Sequence, residues 1–188
     1  MSGLPTLIAV DALDASSIRD ADYVVFGGTF DPPHLGHISV LRALLHRFQR
    51  VILAPTSQNP WKTDRATPIE LRTRMLELIL AAESIPLAGS LGDVGVSITT
   101  HPYVYSEELV AELRRRIPGK ISWAVGEDSA ESVSKWRNWD ALEVQTIVCP
   151  VVIDDHAAEI REGSKSPHPS LVSLINEHGL YSGPASET

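Results

Sequence analysis

The chain has 188 residues, 43% of them apolar, one cysteine and a formal net charge of −8. That length and composition fit one soluble globular domain around a single core. The acidity argues against nucleic acid as a partner, because a phosphate backbone needs a basic surface, but it does not exclude small anionic substrates, which need only a local cluster of N–H groups and positive charge.

No apolar run approaches the ~18 residues that cross a bilayer, so no membrane partner is expected. The first residues lack the basic start of a secretory signal, and Asp11 and Asp14 interrupt their apolar stretch. Cys149 has no internal partner for a disulfide and lies in the apolar run 146–153, where it reads as a core residue rather than a nucleophile. Together these features favour the cytoplasm.

Residues 1–20 read as an N-terminal extension with one strand at 6–10, and residues 21–188 as a single domain. Residues 23–26 form the next expected strand. Residues 37–48 have helical periodicity, with Ile38, Leu41, Leu44, Leu45 and Phe48 on one face. Residues 51–54 are a strand. Thr67-Pro68-Ile69-Glu70 has the form of a capping box with proline at the first helical position, so a helix is expected over 68–83. Residues 94–99 alternate as a strand does. Ser106 is placed to cap a helix that ends before Pro118-Gly119. Residues 120–125 and 145–149 are further strands, and 169–178 is a last helix with Gly179 placed to end it. Strands alternating with helices predict an α/β fold, a parallel sheet with helices on both faces. In such folds ligands bind beyond the carboxyl ends of the strands, where strand order reverses.

The run Gly27-Gly28-Thr29-Phe30-Asp31-Pro32-Pro33-His34-Leu35-Gly36-His37 carries the most chemistry. Two glycines after a strand permit a tight turn and a close approach of backbone N–H groups to an anion. The prolines stiffen the loop, and the helix that follows presents its free N–H groups to the turn. His34 and His37, three apart, share one side of that helix end. Two imidazoles there can donate to phosphate oxygens as negative charge grows in a transfer step. No Cys or carboxylate nearby completes a metal site, and no Gly-Lys-Ser/Thr follows to make a Walker loop.

This run resembles the signature of the nicotinate-nucleotide adenylyltransferases, members of the nucleotidyltransferase superfamily with the His-x-Gly-His motif. The resemblance implies a Rossmann-like nucleotidyltransferase fold and an enzyme that joins a mononucleotide phosphate to the AMP part of ATP. It assigns the ATP phosphates to Gly28, Thr29, Phe30, His34 and His37. After the second strand the segment Pro55-Thr56-Ser57-Gln58-Asn59-Pro60-Trp61-Lys62 matches a proline-rich family loop that ends in a phosphate-assisting lysine, here Lys62; Trp61 stands where the family usually has histidine. On its own, Lys62 would read as a surface residue. Tyr103 and Ser106 lie in a segment that in the family borders the mononucleotide, although Ser106 and Glu107 replace the usual Asp and Thr. A capped helix start explains the same residues.

Trp123-Ala124-Val125-Gly126-Glu127-Asp128, followed by Lys135-Trp136, matches a family strand ending in Gly-x-Asp. By resemblance Gly126 and Asp128 face the ribose and adenine of ATP, and Trp136 stacks on the pyridine ring, with the adjacent Arg137 in the mononucleotide set. The bland alternatives are a core tryptophan, with Trp139 equally close, and an aspartate that caps a helix. A late family motif near Ser-Ser-Thr-x-Ile-Arg has no clear copy. One alignment sets it on His156-Ala157-Ala158-Glu159-Ile160-Arg161, which keeps Arg161 but loses the hydroxyls; another, near 152–157, loses the arginine too. Ser164-Lys165-Ser166 offers substitutes nearby.

The resulting expectation is direct adenylyl transfer from ATP to nicotinate mononucleotide, with His34, His37 and Lys62 as the catalytic group and Mg²⁺ arriving on the ATP phosphates. Nicotinamide mononucleotide, phosphopantetheine or CTP could enter the same chemistry. A nucleotide-binding protein without catalysis is the reading from another class. A class I aminoacyl-tRNA synthetase is excluded by the short, acidic chain. Acceptor preference and oligomeric state stay open, a homo-oligomer being admitted.

Overall fold

A computed structural model describes residues 7–14, 16, 18–19, 22–58, 66–153 and 155–181. In chain order the elements are β1 (Leu7–Ala9), β2 (Tyr23–Gly28), α1 (Leu35–Leu45), β3 (Arg50–Pro55), α2 (Ile69–Ala82), β4 (Gly95–Ile98), α3 (Ser106–Arg116), β5 (Ile121–Gly126), β6 (Gln145–Cys149), α4 (Ala157–Arg161) and α5 (Val172–Glu177). Short 3-10 turns cover Glu127–Lys135, Trp139–Leu142 and Pro169–Leu171. Among the described residues six strands form one sheet in the order β1-β6-β5-β2-β3-β4, and every neighbouring pair is parallel.

From the central strand β2 the chain runs outward through β3 and β4, then crosses to β5 on the other side of β2. Strand order therefore reverses between β2 and β5, which opens a crevice at their carboxyl ends. Both sheet faces are covered, so the strands read as near-continuous apolar runs. Val24 and Phe26 of β2 pack with Leu41, Leu44, Met75 and Ile79 of α1 and α2. Tyr23 and Val25, pointing the opposite way, pack with Leu109 and Leu113 of α3 and with Trp123. Each such aliphatic side chain contributes about 1.5–3 kcal/mol by leaving water.

The six expected strands and the main helices are present, with corrections at their ends. The expected N-terminal extension supplies β1, which pairs with β6 from Leu7↔Thr146 to Ala9↔Val148, and Val10 and Leu13 are buried in the core. The Thr67 capping box does not form. Thr67 donates its N–H to the Asp31 carboxylate (3.0 Å) and its hydroxyl to Tyr181, so Pro68 becomes the residue before α2. Ser106 is likewise inside α3, not its cap. Tyr105 precedes the helix, and Glu108 closes the start by accepting the N–H groups of Val104 (3.0 Å) and Tyr105 (3.2 Å). Helix α1 begins at Leu35, just after the prolines of the first loop, because the backbone of His34 already accepts from His37 and Ile38. The last helix opens as a 3-10 turn, and Gly179, at φ +59°, ends it.

Candidate active site

The crevice between β2 and β5 is a cleft of about 370 Å³. Its floor is the end of β2 and the turn to α1, one wall is the end of β5 with the turn that follows, and the other is formed by Val151, Asp155, His156, Ala157 and Arg161. Gly28, Thr29, Phe30, His34, His37, Tyr103, Ser106, Gly126, Asp128, Trp136, Arg137 and Arg161 all line it. Lys62 and Trp61 lie outside the described residues.

The turn after β2 is built by close packing. A Cβ on Gly27 would sit 2.4 Å from the buried Trp123 ring, and one on Gly28 would sit 3.1 Å from the Phe30 ring. Phe30 takes φ +50°, a left-handed conformation that costs a non-glycine residue of order 1–3 kcal/mol. Its ring is buried between Phe26 (5.5 Å) and His37 (4.8 Å), which holds it there.

The two histidines stack with ring centroids 3.7 Å apart. His37 Nδ1 accepts the His34 N–H at 3.2 Å. A ring nitrogen that accepts carries no proton, so in neutral His37 the proton is on Nε2, free to donate to an anion. Burial, with His34 beside it, holds the His37 pKa well below the usual histidine value. Burial also lowers His34 to about 4. Both imidazoles are therefore neutral hydrogen-bond donors at physiological pH, and neither adds a charge.

Gly36 is required by the opposite wall. A Cβ there would lie 2.9 Å from His34 Nδ1 and 3.0 Å from the Asp155 carbonyl oxygen. Asp155 itself is buried; its Oδ2 accepts the Leu35 N–H at 3.1 Å, and its Oδ1 pairs with Lys165 Nζ at 2.9 Å. A carboxylate thus occupies one free N–H at the start of α1. Arg161 Nη1 donates to the Asp31 carbonyl at 2.5 Å, tying α4 to the first loop. Arg161, which one of the two alignments keeps, ends α4, and α4 starts at Ala157 on the cleft wall. The Asp31 carboxylate is taken by Thr67 N–H and by the Tyr181 hydroxyl (2.5 Å). Lys165 reaches the α1 end through Asp155 and also approaches Glu159 at 3.8 Å.

On the β5 wall, Gly126 is as constrained as Gly27: a Cβ would lie 2.5 Å from Asp128 Oδ1 and 3.0 Å from Val151 Cγ2. Asp128 lies within the 3-10 turn and is not its cap. The two tryptophans separate cleanly. Trp139 is buried and donates Nε1–H to Thr146 Oγ1 (3.0 Å), whereas Trp136 is half-buried on the cleft wall, edge-on to Trp139 (5.0 Å) and Trp123 (6.1 Å). Tyr103 donates its hydroxyl to the Ala54 carbonyl (2.7 Å), and its own carbonyl accepts from Ser57 N–H. Tyr103 nevertheless lines the cleft. Arg137 lies 3.6 Å over the Tyr105 ring and pairs with Glu107 and Glu108. Periodicity and motif matching do not foresee that latch, nor Asp155, whose place depends on a loop far away in sequence.

Comparison with known proteins shows the family and the fold. The Cytidylyltransferase-like family model matches residues 25–160. A Nitratiruptor protein named probable nicotinate-nucleotide adenylyltransferase is 32% identical over 130 residues, 66% of this chain and 70% of that one. A protein of the same name from Cereibacter sphaeroides (strain ATCC 17023) is 30% identical over 121 residues, 63% of this chain and 60% of the relative, so the chain spans about three fifths of that relative's length. Among solved structures, the Plasmodium falciparum nicotinic acid mononucleotide adenylyltransferase complexed with NaAD has the same fold at a TM-score of 0.64, covering 87% of this chain and 98% of that one at 11% identity.

Proposed function

Because the chain belongs to the cytidylyltransferase-like family, we propose that it catalyses the transfer of AMP from ATP to nicotinate mononucleotide, giving deamido-NAD and pyrophosphate. The observation that carries the reading is the convergence, in one cleft at the β2/β5 reversal, of a phosphate-donor set on α1 and a half-buried tryptophan on the β5 side. The relatives' names point to the same pyridine nucleotide.

In this reading an oxygen of the mononucleotide phosphate attacks the α-phosphorus of ATP. The bond from that phosphorus to the bridging oxygen breaks, and pyrophosphate leaves with the electron pair. No protein nucleophile is needed; the residues hold the two reactants in line and meet the growing charge. His37 Nε2–H and the N–H groups of the first loop serve the α-phosphate, with Lys62 assisting. Arg161 stands on the side of the outer phosphates. Gly126 and Asp128 border the ribose and adenine, and Trp136 offers its face to the pyridine, with Tyr103, Ser106 and Arg137 around it. Mg²⁺ belongs to the bound ATP, whose phosphates would hold it and whose charge it would offset. Among the described residues no group of three or more His, Cys, Asp or Glu side chains is arranged to ligate a metal, and two cleft carboxylates, Asp31 and Asp155, are already occupied by N–H groups. A cytoplasmic setting fits the single, buried thiol of Cys149; among the described residues no helix is long and apolar enough to cross a membrane.

The test is pyrophosphate release from ATP with nicotinate mononucleotide, with nicotinamide mononucleotide and phosphopantetheine as competing acceptors. Turnover fastest with the nicotinate form is expected. Folded protein that turns over none of the three removes the proposal. Two observations favour a second reading, nucleotide binding without catalysis: α4 opens on Ala157 and Ala158 where the family motif has hydroxyls, and Asp155 sits on the start of α1. Calorimetric binding of ATP without turnover would favour it.

A further inference from the structure

Arg72 is 1% exposed, on the face of α2 that enters the core. It shares a stripe with Met75, Leu76 and Ile79, all buried apolar residues. Its guanidinium donates to four carbonyl oxygens: Nε to Thr67 (2.6 Å), Nη1 to Thr29 (2.6 Å) and Thr56 (2.7 Å), and Nη2 to Ser57 (3.4 Å). Thr29 follows β2, Thr56 and Ser57 follow β3, and Thr67 precedes α2, so one side chain ties together three segments at the cleft. Thr29 and Thr56 line it.

Among the described residues no carboxylate lies within ion-pair distance of Arg72. Asp31 has the largest favourable charge influence on it, and the two Asp31 oxygens are engaged by Thr67 and Tyr181. A buried cation without a counter-ion is costly to keep, and a methionine in its place would pack the core without that cost. Burial lowers the Arg72 pKa, but a guanidinium stays charged at physiological pH. Carbonyl dipoles solvate it. Its charge lies behind the first loop, at the Thr29 carbonyl, and the front of that loop receives a polyanion in the function proposed above.

We propose that Arg72 is a positioning residue with an electrostatic role. It fixes the carbonyls behind the phosphate loop, so that the loop's N–H groups face outward, and its buried charge is balanced when a polyphosphate fills the cleft. The inference rests on the reading of the cleft as a nucleoside triphosphate site. It predicts that bound polyphosphate and the buried guanidinium stabilise each other through the loop.

The test uses inorganic pyrophosphate with Mg²⁺ as the probe, measured by calorimetry and by the rise in Tm, on the full chain and on Arg72→Lys and Arg72→Gln. A lysine keeps the charge but cannot span four carbonyls in a planar fork. Expected are pyrophosphate binding by Arg72→Lys within about threefold of wild type, with kcat down about tenfold or more, and binding by Arg72→Gln weakened at least about tenfold. A folded Arg72→Gln that binds pyrophosphate as wild type does overturns the proposal. If Arg72→Gln does not fold, Arg72→Lys decides: binding lost in step with kcat means a purely structural staple. Failure of wild-type protein to bind pyrophosphate or ATP would instead refute the reading of the cleft, leaving the two failures distinct.

Discussion

The floor and the far wall of the cleft meet at the start of α1, yet they prepare for an anion differently. On the floor, the His37 imidazole has a defined orientation before any ligand arrives. His34 N–H fixes the tautomer of His37, the Phe30 ring supports it, and Gly27 and Gly28 allow the packing. On the far wall the polar groups are engaged with the protein itself. Arg161 holds the Asp31 carbonyl, and Asp155 joins Leu35 N–H to Lys165. In the proposed reaction the floor would be preorganised for the transition state, which costs nothing at the moment of reaction, whereas the far wall would have to exchange protein partners for phosphate oxygens. The difference teaches that one part of a shared site can keep its chemistry while the other is rebuilt, because the two lie on separate loops.

Removing the floor's donor is the strongest way to break this contrast. His37→Ala is expected to lower kcat by about 10²–10³-fold, as loss of one preorganised donor does, with a small change in KM for ATP. A loss under about tenfold in steady-state assays would put the catalytic weight on the far wall instead. Next comes Arg161→Met, which removes a charge-assisted bond and should cost kcat/KM for ATP about ten- to a hundredfold. If kcat/KM is unchanged, Arg161 only fastens α4 to the first loop.

Stability against pH separates the histidine floor from the rest. The His34 pKa is about 4 in the fold and near 6.5 in the unfolded chain, so between those values the unfolded state binds more protons. Stability is therefore full above about pH 6.5 and declines as pH falls toward 4; His37, shifted the same way, adds to the decline. Thermal unfolding scans over that window should show it, and His34→Gln should flatten the curve. A wild-type Tm that holds level from pH 6.5 to 4 would contradict the buried, neutral imidazoles. The smallest effect is expected on the far wall: Ala157→Ser or Ala158→Ser adds one hydroxyl, able to contribute ~0.5–1.5 kcal/mol, so in either single variant KM for ATP should fall by no more than about tenfold. A larger gain would show that the missing hydroxyls limit the site.

Much of the fold and of the cleft is legible in the sequence. Strands 145–149 and 23–26 stand out because both sheet faces are covered and their residues are apolar and β-branched. The placing of Gly126, Asp128 and Trp136 in one cleft with His34 and His37 follows from motif order on an alternating α/β chain. The departures are local. Thr67 and Ser106 have the right residue types for caps, but a cap is decided by competition among nearby partners. Tyr181 and Asp31 engage Thr67, and Glu108 closes α3 from within. Arg72 carries a signal that motif matching passes over, a basic residue on the stripe of Met75, Leu76 and Ile79. Asp155 carries none.

By itself the sequence determined the α/β class, the order of strands along the chain and the chemistry of the first loop, since all three depend on local patterning and on groups a few residues apart. Only the tertiary structure decided what that loop rests on and what lies across from it. Arg72 meets Thr29 from 43 positions away, Asp155 meets Leu35 from 120, and Arg161 meets Asp31 from 130. Such contacts obey no short period. They exist because the reversal of strand order at β2 and β5 brings distant loops to the same end of the sheet, where their backbone polar groups must find partners.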